Sequence, residues 1–251
     1  MTTDVADRLA AVRERVARAE SAAGRSPGSV RVLLAAKTMP AAIVRAALEA
    51  DRAAVAADPR LVPVLVGENR VQELVAKAPQ IADLLAPDDS GPRLHLIGPL
   101  QSNKVNAALR WVSCVQSVAS AELARRLAVR AADRGTPLEV MVQVNVSGEP
   151  TKHGVLPDDA VALALEVAAL DVLRLRGWMT VGANSPDEAT VRAGYARLRA
   201  LRDEVLASGA PGTERASELS MGMSRDVEAA ITEGATIVRV GTAVFGPRPA
   251  P

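Results

Sequence analysis

Eight short apolar runs, each handing over to a helical pattern, follow one another along these 251 residues with no composition break long enough to be a linker. Runs that are apolar on both faces suit parallel strands covered by helices. Eight such steps favour one closed (β/α)8 TIM barrel over an open doubly wound sheet. A barrel of that kind takes about 250 residues, so residues 1–251 are expected to form a single α/β domain. Ahead of the first run, MTTDVADRLAAVRERVARAE repeats Val5, Leu9, Val12 and Val16 at helical spacing and adds an N-terminal helix.

The patterning predicts strands over residues 31–36, 61–66, 93–97, 111–115, 138–146, 172–179, 218–220 and 236–240. Helices are expected over 40–50, 70–77, 102–109, 120–133, 158–170 and 226–233. A longer helix behind Ser185-Pro186-Asp187-Glu188 carries Val191, Tyr195, Leu198, Leu201 and Val205 on one face. Pro40 is read as a first-turn proline, Ser185 and Ser224 as N-caps, and residues 87–92 as a polar loop.

The first run, RVLLAAKTMPA, ends in a lysine, with five of the six residues before Lys37 apolar. Ligands bind at the carboxyl ends of barrel strands, and a partly desolvated amine there can form a Schiff base with an aldehyde or ketone. The alternative from this stretch alone is a lysine that snorkels to water. Two stretches near the end resemble anion-binding turns. In LSMGMSRD, Ser220 to Ser224 link a strand to a helix start, and in TIVRVGTAVFG the last strand runs into Gly241-Thr242. Loops after strands seven and eight are where such barrels usually hold phosphate, although Gly and Ser are common in any such loop. With a reactive lysine opposite, the pair describes pyridoxal 5′-phosphate: an aldehyde for Lys37 and a phosphate for the loops. Arg239, on the apolar strand TIVRV, needs an acceptor if it faces inward. The pyridine nitrogen is one candidate, and escape to the rim or a carboxylate partner is the other.

Composition narrows the setting. Hydrophobic residues make up 49% and aromatics 2%, so the core must be built from Ala, Val and Leu. Thirty basic against twenty-nine acidic residues leave a net charge of +1, with no bulk field for nucleic acid or an anionic membrane. One cysteine, Cys114, excludes an internal disulfide framework, and no apolar stretch reaches membrane-spanning length, so a cytoplasmic protein is expected. Two histidines and one thiol make no metal-ligand cluster, and His95 is read as a satisfied core or rim group. Glu68 and Glu149 are read as loop-capping or solvated.

The motifs AAKTMP, GENRVQEL, LHLIGPLQSNK, QVNVSGEPTKHG, LRLRGWMTVG and LSMGMSRDVEAAITEGATIVRVGTAVFG resemble, in order, those of the pyridoxal phosphate homeostasis proteins. That family is similar to the barrel domain of alanine racemase standing alone. The resemblance covers about residues 30–248, and residues 220–246 are its most specific part. It implies a Schiff base at Lys37, pyridine-nitrogen contact from Arg239, and phosphate contacts from Ser224, Gly241 and Thr242 with backbone help around Met221 to Met223. It also implies Asn69 near the cofactor and Lys152 near its phenolic oxygen. The chain departs from the family at Leu94 and Pro99, and its segment 58–65 is longer and more apolar than usual.

Racemization on such a barrel needs a second acid/base on the opposite face, normally a tyrosine from a further domain. The chain's one tyrosine, Tyr195, falls on the apolar face of the long helix. The expected function is therefore a monomeric carrier that buffers pyridoxal phosphate or delivers it to apoenzymes, without dedicated catalytic activity. A weak amino-acid racemase or lyase, a class I aldolase using Lys37, and a pure scaffold are the rivals.

Overall fold

The computed structural model describes residues 2–86, 88 and 90–247; positions 87, 89 and 248, which fall within the expected polar loop and the end of the family resemblance, lie outside them. Eight strands, β1 (Arg31–Ala35), β2 (Leu65–Glu68), β3 (Arg93–Leu96), β4 (Cys114–Val118), β5 (Leu138–Gln143), β6 (Leu173–Met179), β7 (Glu218–Met223) and β8 (Ile237–Val240), pair in parallel and in sequence order. β8 closes the barrel on β1, with Leu33 beside Arg239 and Leu34 beside Val240. The expected (β/α)8 TIM barrel is thus the observed fold. Its helices are α1 (Thr2–Ala22), α2 (Ala41–Ala57), α3 (Val71–Ile81), α4 (Val105–Leu109), α5 (Ala121–Ala131), α6 (Pro157–Ala168), α7 (Glu188–Ala207), α8 (Val227–Thr232) and α9 (Thr242–Phe245).

Alternation along each strand divides the apolar residues into two cores. On β1, Val32 and Leu34 face the helices, while Leu33 joins Leu65, Cys114, Met141, Met179 and Ile237 inside the barrel. Toward the N-terminal strand ends the interior is ionic: Arg93 pairs with Glu139, and Arg176 reaches Glu218 at 2.6 Å and Glu139 at 3.6 Å. The site lies at the other end. Outside, α1 presents Val5, Leu9, Val12 and Val16 to the core and packs against α2, α8 and α9.

Several boundaries differ from the patterning, each for a local reason. Trp111 and Val112 are apolar, yet their N–H groups bond to Ala108 O and complete the turn after α4, so β4 begins three residues later than expected. Pro40 is extended, at φ −58 and ψ 146, and precedes α2 instead of lying in its first turn, while α2 continues to Ala57. α7 is capped by Asp187, whose carboxylate accepts from the N–H groups of Ala189 and Thr190, and not by Ser185.

Residues 61–64 stay outside β2 because their backbone bonds to side chains. The Val62 carbonyl accepts from Arg13 at 3.2 Å, and the Val64 N–H donates to Asp51 at 3.3 Å. Asp51 is fully buried and ion-paired with Arg13, so α1, α2 and this approach meet at one carboxylate. Removing one member of a buried pair strands the other's charge. Asp51→Ala is therefore expected to destabilise the fold by about 3 kcal/mol, read as a lower urea midpoint at unchanged m-value; a loss no larger than a surface substitution gives would refute the assignment.

Candidate functional site

β1 ends at Ala35, and Lys37 stands two residues later in the turn to α2. Behind it, Thr38 takes φ 61, the one left-handed non-glycine among the described residues. This geometry places Lys37 on the wall of a cavity of about 300 Å³, whose lining also includes Asn69, Ser224, Arg239, Gly241 and Thr242. Six of the seven residues picked out as cofactor-binding therefore surround one space. Met221 does not: it is fully buried in the core between barrel and helices, and Met223 lines the cavity instead.

The reason is a bulge. The β7–β8 register shifts between Ser220 and Met223, and Gly222 takes φ 87. A Cβ at Gly222 would come 2.4 Å from the Cβ of Ala230, so only glycine lets the bulge lie against α8. β7 runs three residues further than patterning suggested and turns Met223 and Ser224 toward the cavity. Ser224 does not cap α8. Asp226 occupies that position, its carboxylate accepting from the Met223 N–H at 2.6 Å and the Tyr195 hydroxyl at 2.8 Å. From outside, Arg15 of α1 donates to the Ser224 carbonyl at 2.7 Å and pairs with Glu228. The mouth of the site is thus braced by the N-terminal helix.

Arg239 faces inward from β8 and is 6% exposed. Nη1 donates to the Ser220 carbonyl at 2.7 Å and to Ser220 Oγ at 2.9 Å, and Nη2 to the Thr180 carbonyl at 2.6 Å. These acceptors are neutral, and burial pushes the guanidinium below its ordinary range against the opposing charge of Asp226. Ser220 Oγ in turn donates to Gln116 Oε1 at 2.7 Å, and Gln116 Nε2 meets His95 Nδ1 at 2.8 Å. With the Gln116 amide as donor, Nδ1 is the acceptor and the His95 proton sits on Nε2. His95 is accordingly a buried core group, 2% exposed and tied to β4 through Gln116.

Other expectations come out differently. Lys152 does not line this cavity; its Nζ donates to Glu149 at 2.6 Å and to the Gly182 carbonyl at 2.8 Å, beside a wider cleft of about 970 Å³. Glu68 is neither solvated nor a loop cap. It is 1% exposed and ion-paired with Lys77 at 2.8 Å.

Chemically, the cavity offers an amine, a buried guanidinium still rich in donors, and the hydroxyls of Ser224 and Thr242 beside the opening turn of α9. Ile97, Met179, Val181 and Phe245 supply apolar walls. That combination fits a small planar ring bearing a carbonyl, a hydrogen-bond acceptor and an anionic arm. Patterning missed Gln116 and the Thr180 carbonyl, and it read Ser220 as the start of a turn, not as a partner of Arg239. The advance signal for Gln116 was polarity in an otherwise apolar run, and a backbone carbonyl such as that of Thr180 leaves none.

The family model described as the alanine racemase N-terminal domain matches residues 8–249. A pyridoxal phosphate homeostasis protein of Pseudomonas aeruginosa is 42% identical over 244 residues, covering 97% of this chain and 96% of that protein. Among solved structures, an unknown protein from Bifidobacterium adolescentis is 42% identical with a TM-score of 0.87, covering 97% of this chain and 95% of its own. PipY of Synechococcus elongatus PCC7942, with PLP bound, is 34% identical with a TM-score of 0.77, covering 96% of this chain and 100% of its own.

Tyr195 gives a direct check on this geometry because it is the sole tyrosine in the chain. Burial, reinforced by the Asp226 carboxylate, holds its phenol well above the ordinary tyrosine range. A folded-state pKa above the unfolded one contributes stability that is complete below about pH 10 and is lost as pH rises beyond it. Ultraviolet titration of the folded protein should show no phenolate near pH 10, ionisation coinciding with alkaline unfolding; a free titration near pH 10 would refute the buried Tyr195–Asp226 bond.

Proposed function

This chain belongs to the pyridoxal phosphate homeostasis proteins, relatives of the alanine racemase N-terminal domain, and on that footing we propose that it holds pyridoxal 5′-phosphate in the cavity between β1 and β8 and acts as a carrier of the coenzyme, without dedicated catalytic activity. The observation that carries this reading is that Lys37 and the buried Arg239 share the cavity with Ser224, Gly241 and Thr242. PipY with PLP bound, a relative that aligns over 96% of this chain, supports the choice of ligand.

When bound, the coenzyme supplies an aldehyde that an unprotonated lysine amine takes up as a Schiff base with loss of water. Lys37 is the amine the cavity offers. Ser224 and Thr242 donate their hydroxyls to the phosphate, with Gly241 allowing close backbone approach; a Cβ there would lie 3.3 Å from the Ala35 carbonyl. Arg239 donates to the pyridine nitrogen, and Asn69 flanks the ring. A guanidinium partner leaves that nitrogen largely unprotonated, which makes the ring a weak electron sink and disfavours carbanion chemistry.

The carrier reading gains support from what else lies near. The ionisable side chains lining the cavity, among the described residues, are Lys37 and Arg239, and Tyr195 is buried with its hydroxyl on Asp226. In this reading residues 1–251 work as one cytoplasmic, monomeric domain that passes the coenzyme to apoenzymes. Among the described residues no helix is long and apolar enough to cross a membrane.

Reduction of the loaded protein with borohydride should leave a pyridoxyl adduct that peptide mapping finds on Lys37. The visible band should vanish in Lys37→Ala while circular dichroism keeps the barrel signature; an adduct on another lysine would overturn the assignment. Arg239→Glu should shift the absorption spectrum by changing the protonation of the ring, and an unchanged spectrum would remove Arg239 from the nitrogen. Exchange of α-protons from alanine or serine at the turnover of a dedicated racemase would replace the carrier with an enzyme.

A further inference from the structure

Both peptide groups that bracket Lys37 are held by side chains of α3. Lys77 Nζ donates to the Ala36 carbonyl at 2.6 Å, and the Thr38 N–H donates to Glu73 Oε2 at 2.7 Å. The two side chains are one turn apart and meet at 3.5 Å, and Lys77 also pairs with Glu68 at 2.8 Å at the end of β2. Lys77 is 8% exposed, an expensive place for an ammonium when an apolar side chain could tie α3 to the barrel as well. The left-handed backbone at Thr38 is also unfavourable for a β-branched residue. Packing alone explains neither feature. Fixing the two peptides together fixes the Cα of the residue between them, and with it the direction in which that side chain leaves the chain.

We propose that Glu73 and Lys77, anchored by Glu68, are positioning residues that aim the amine of Lys37 into the cavity. This rests on the reading that Lys37 captures the aldehyde of pyridoxal phosphate. The carboxylate holds the strained turn by accepting the Thr38 N–H, and the ammonium fixes the preceding carbonyl. Neither touches the ligand. The clamp acts on the rate of capture and leaves the phosphate contacts and Arg239 alone, because those belong to β7, β8 and their loops.

The test separates the two effects with two ligands. Stopped-flow absorbance follows capture of pyridoxal 5′-phosphate, while pyridoxine 5′-phosphate, which lacks the aldehyde, reports binding to the cavity alone. Wild type should capture the aldehyde on Lys37. Glu73→Ala should slow capture roughly tenfold or more, since misplacement of a reacting group by about 1 Å costs up to about a hundredfold, while pyridoxine phosphate affinity stays the same. Glu73→Gln keeps an acceptor for the Thr38 N–H and should recover most of the rate. Lys77→Met should slow capture as Glu73→Ala does, and Lys77→Arg should recover it. Glu73 lies at the partly exposed rim, so its variants remain informative if Lys77→Met fails to fold. Capture by Glu73→Ala at the wild-type rate, or equal losses for both ligands, would overturn the clamp. Wild type forming no adduct on Lys37 would instead overturn the reading of the cavity, and the clamp with it.

Discussion

A desolvated guanidinium inside a closed barrel has few ways to be tolerated, and the handling of Arg239 sets the terms for much of the surrounding structure. Its donors are met by oxygens from the ends of β6 and β7: the Thr180 carbonyl, and the Ser220 carbonyl and hydroxyl. Ser220 is then committed, because its hydroxyl, already an acceptor for Arg239, donates onward to Gln116 on β4, and Gln116 to His95 on β3. One inward arginine thus imposes polar residues on three other strands. A neutral solution satisfies the donors without cancelling the charge, which leaves the cation available to a ligand acceptor.

The cavity follows from small residues at the upper layer of the barrel. Ala35 and Gly241 stand where larger side chains would fill the interior, and a Cβ at Gly67 would come 2.3 Å from Leu33. With two tryptophans, one tyrosine and one phenylalanine in the chain, aliphatic side chains do most of the filling. Leu33, Leu65, Met141 and Ile237 plug the middle layer, the Arg93–Glu139 and Arg176–Glu218 pairs lie toward the opposite end, and the space above is left to the site.

The fold was legible because a parallel barrel writes itself as repeated two-sided apolar runs, and the sites at strand ends inherit that clarity. Lys37, Arg239 and Gly241 were each found by their position at or just beyond a run, and Asn69 through the family resemblance. What patterning could not carry was any departure from strict alternation. On a regular β7, Ser220 faces in, Met221 out and Met223 out again; the bulge at Gly222 breaks that parity and brings Met223, not Met221, to the cavity. Ser224 was likewise read as a helix cap because a serine before a helix commonly is one, whereas Asp226 takes that position and bonds to Met223 and Tyr195. The Glu68–Lys77 pair escaped notice for another reason. Two charges nine residues apart, one on a strand and one on the following helix, look like two solvated side chains until the strand-to-helix turn brings them together.

In the carrier reading the coenzyme must also be released, and the position of the cavity bears on this. It shares Val181, Met223, Ser224 and Thr242 with the wider cleft between the loops after β6 and β7, so the wall on that side opens into a broader mouth. The opposite wall comes from residues at and just beyond the ends of β1 and β2. In the proposed reading, with a ligand joined covalently to Lys37 on one side and held by hydrogen bonds on the open side, the bond to Lys37 would control release. In that reading, an incoming amine that takes the place of Lys37 in the imine would leave the coenzyme, now bonded to that amine, held by hydrogen bonds alone, from the Ser224 and Thr242 hydroxyls and from Arg239. In an enzyme that stabilises a carbanion, the same open side would have to be closed against water and supplied with a base. The open mouth and the neutral shell around Arg239 therefore favour the same conclusion from opposite ends of the ring.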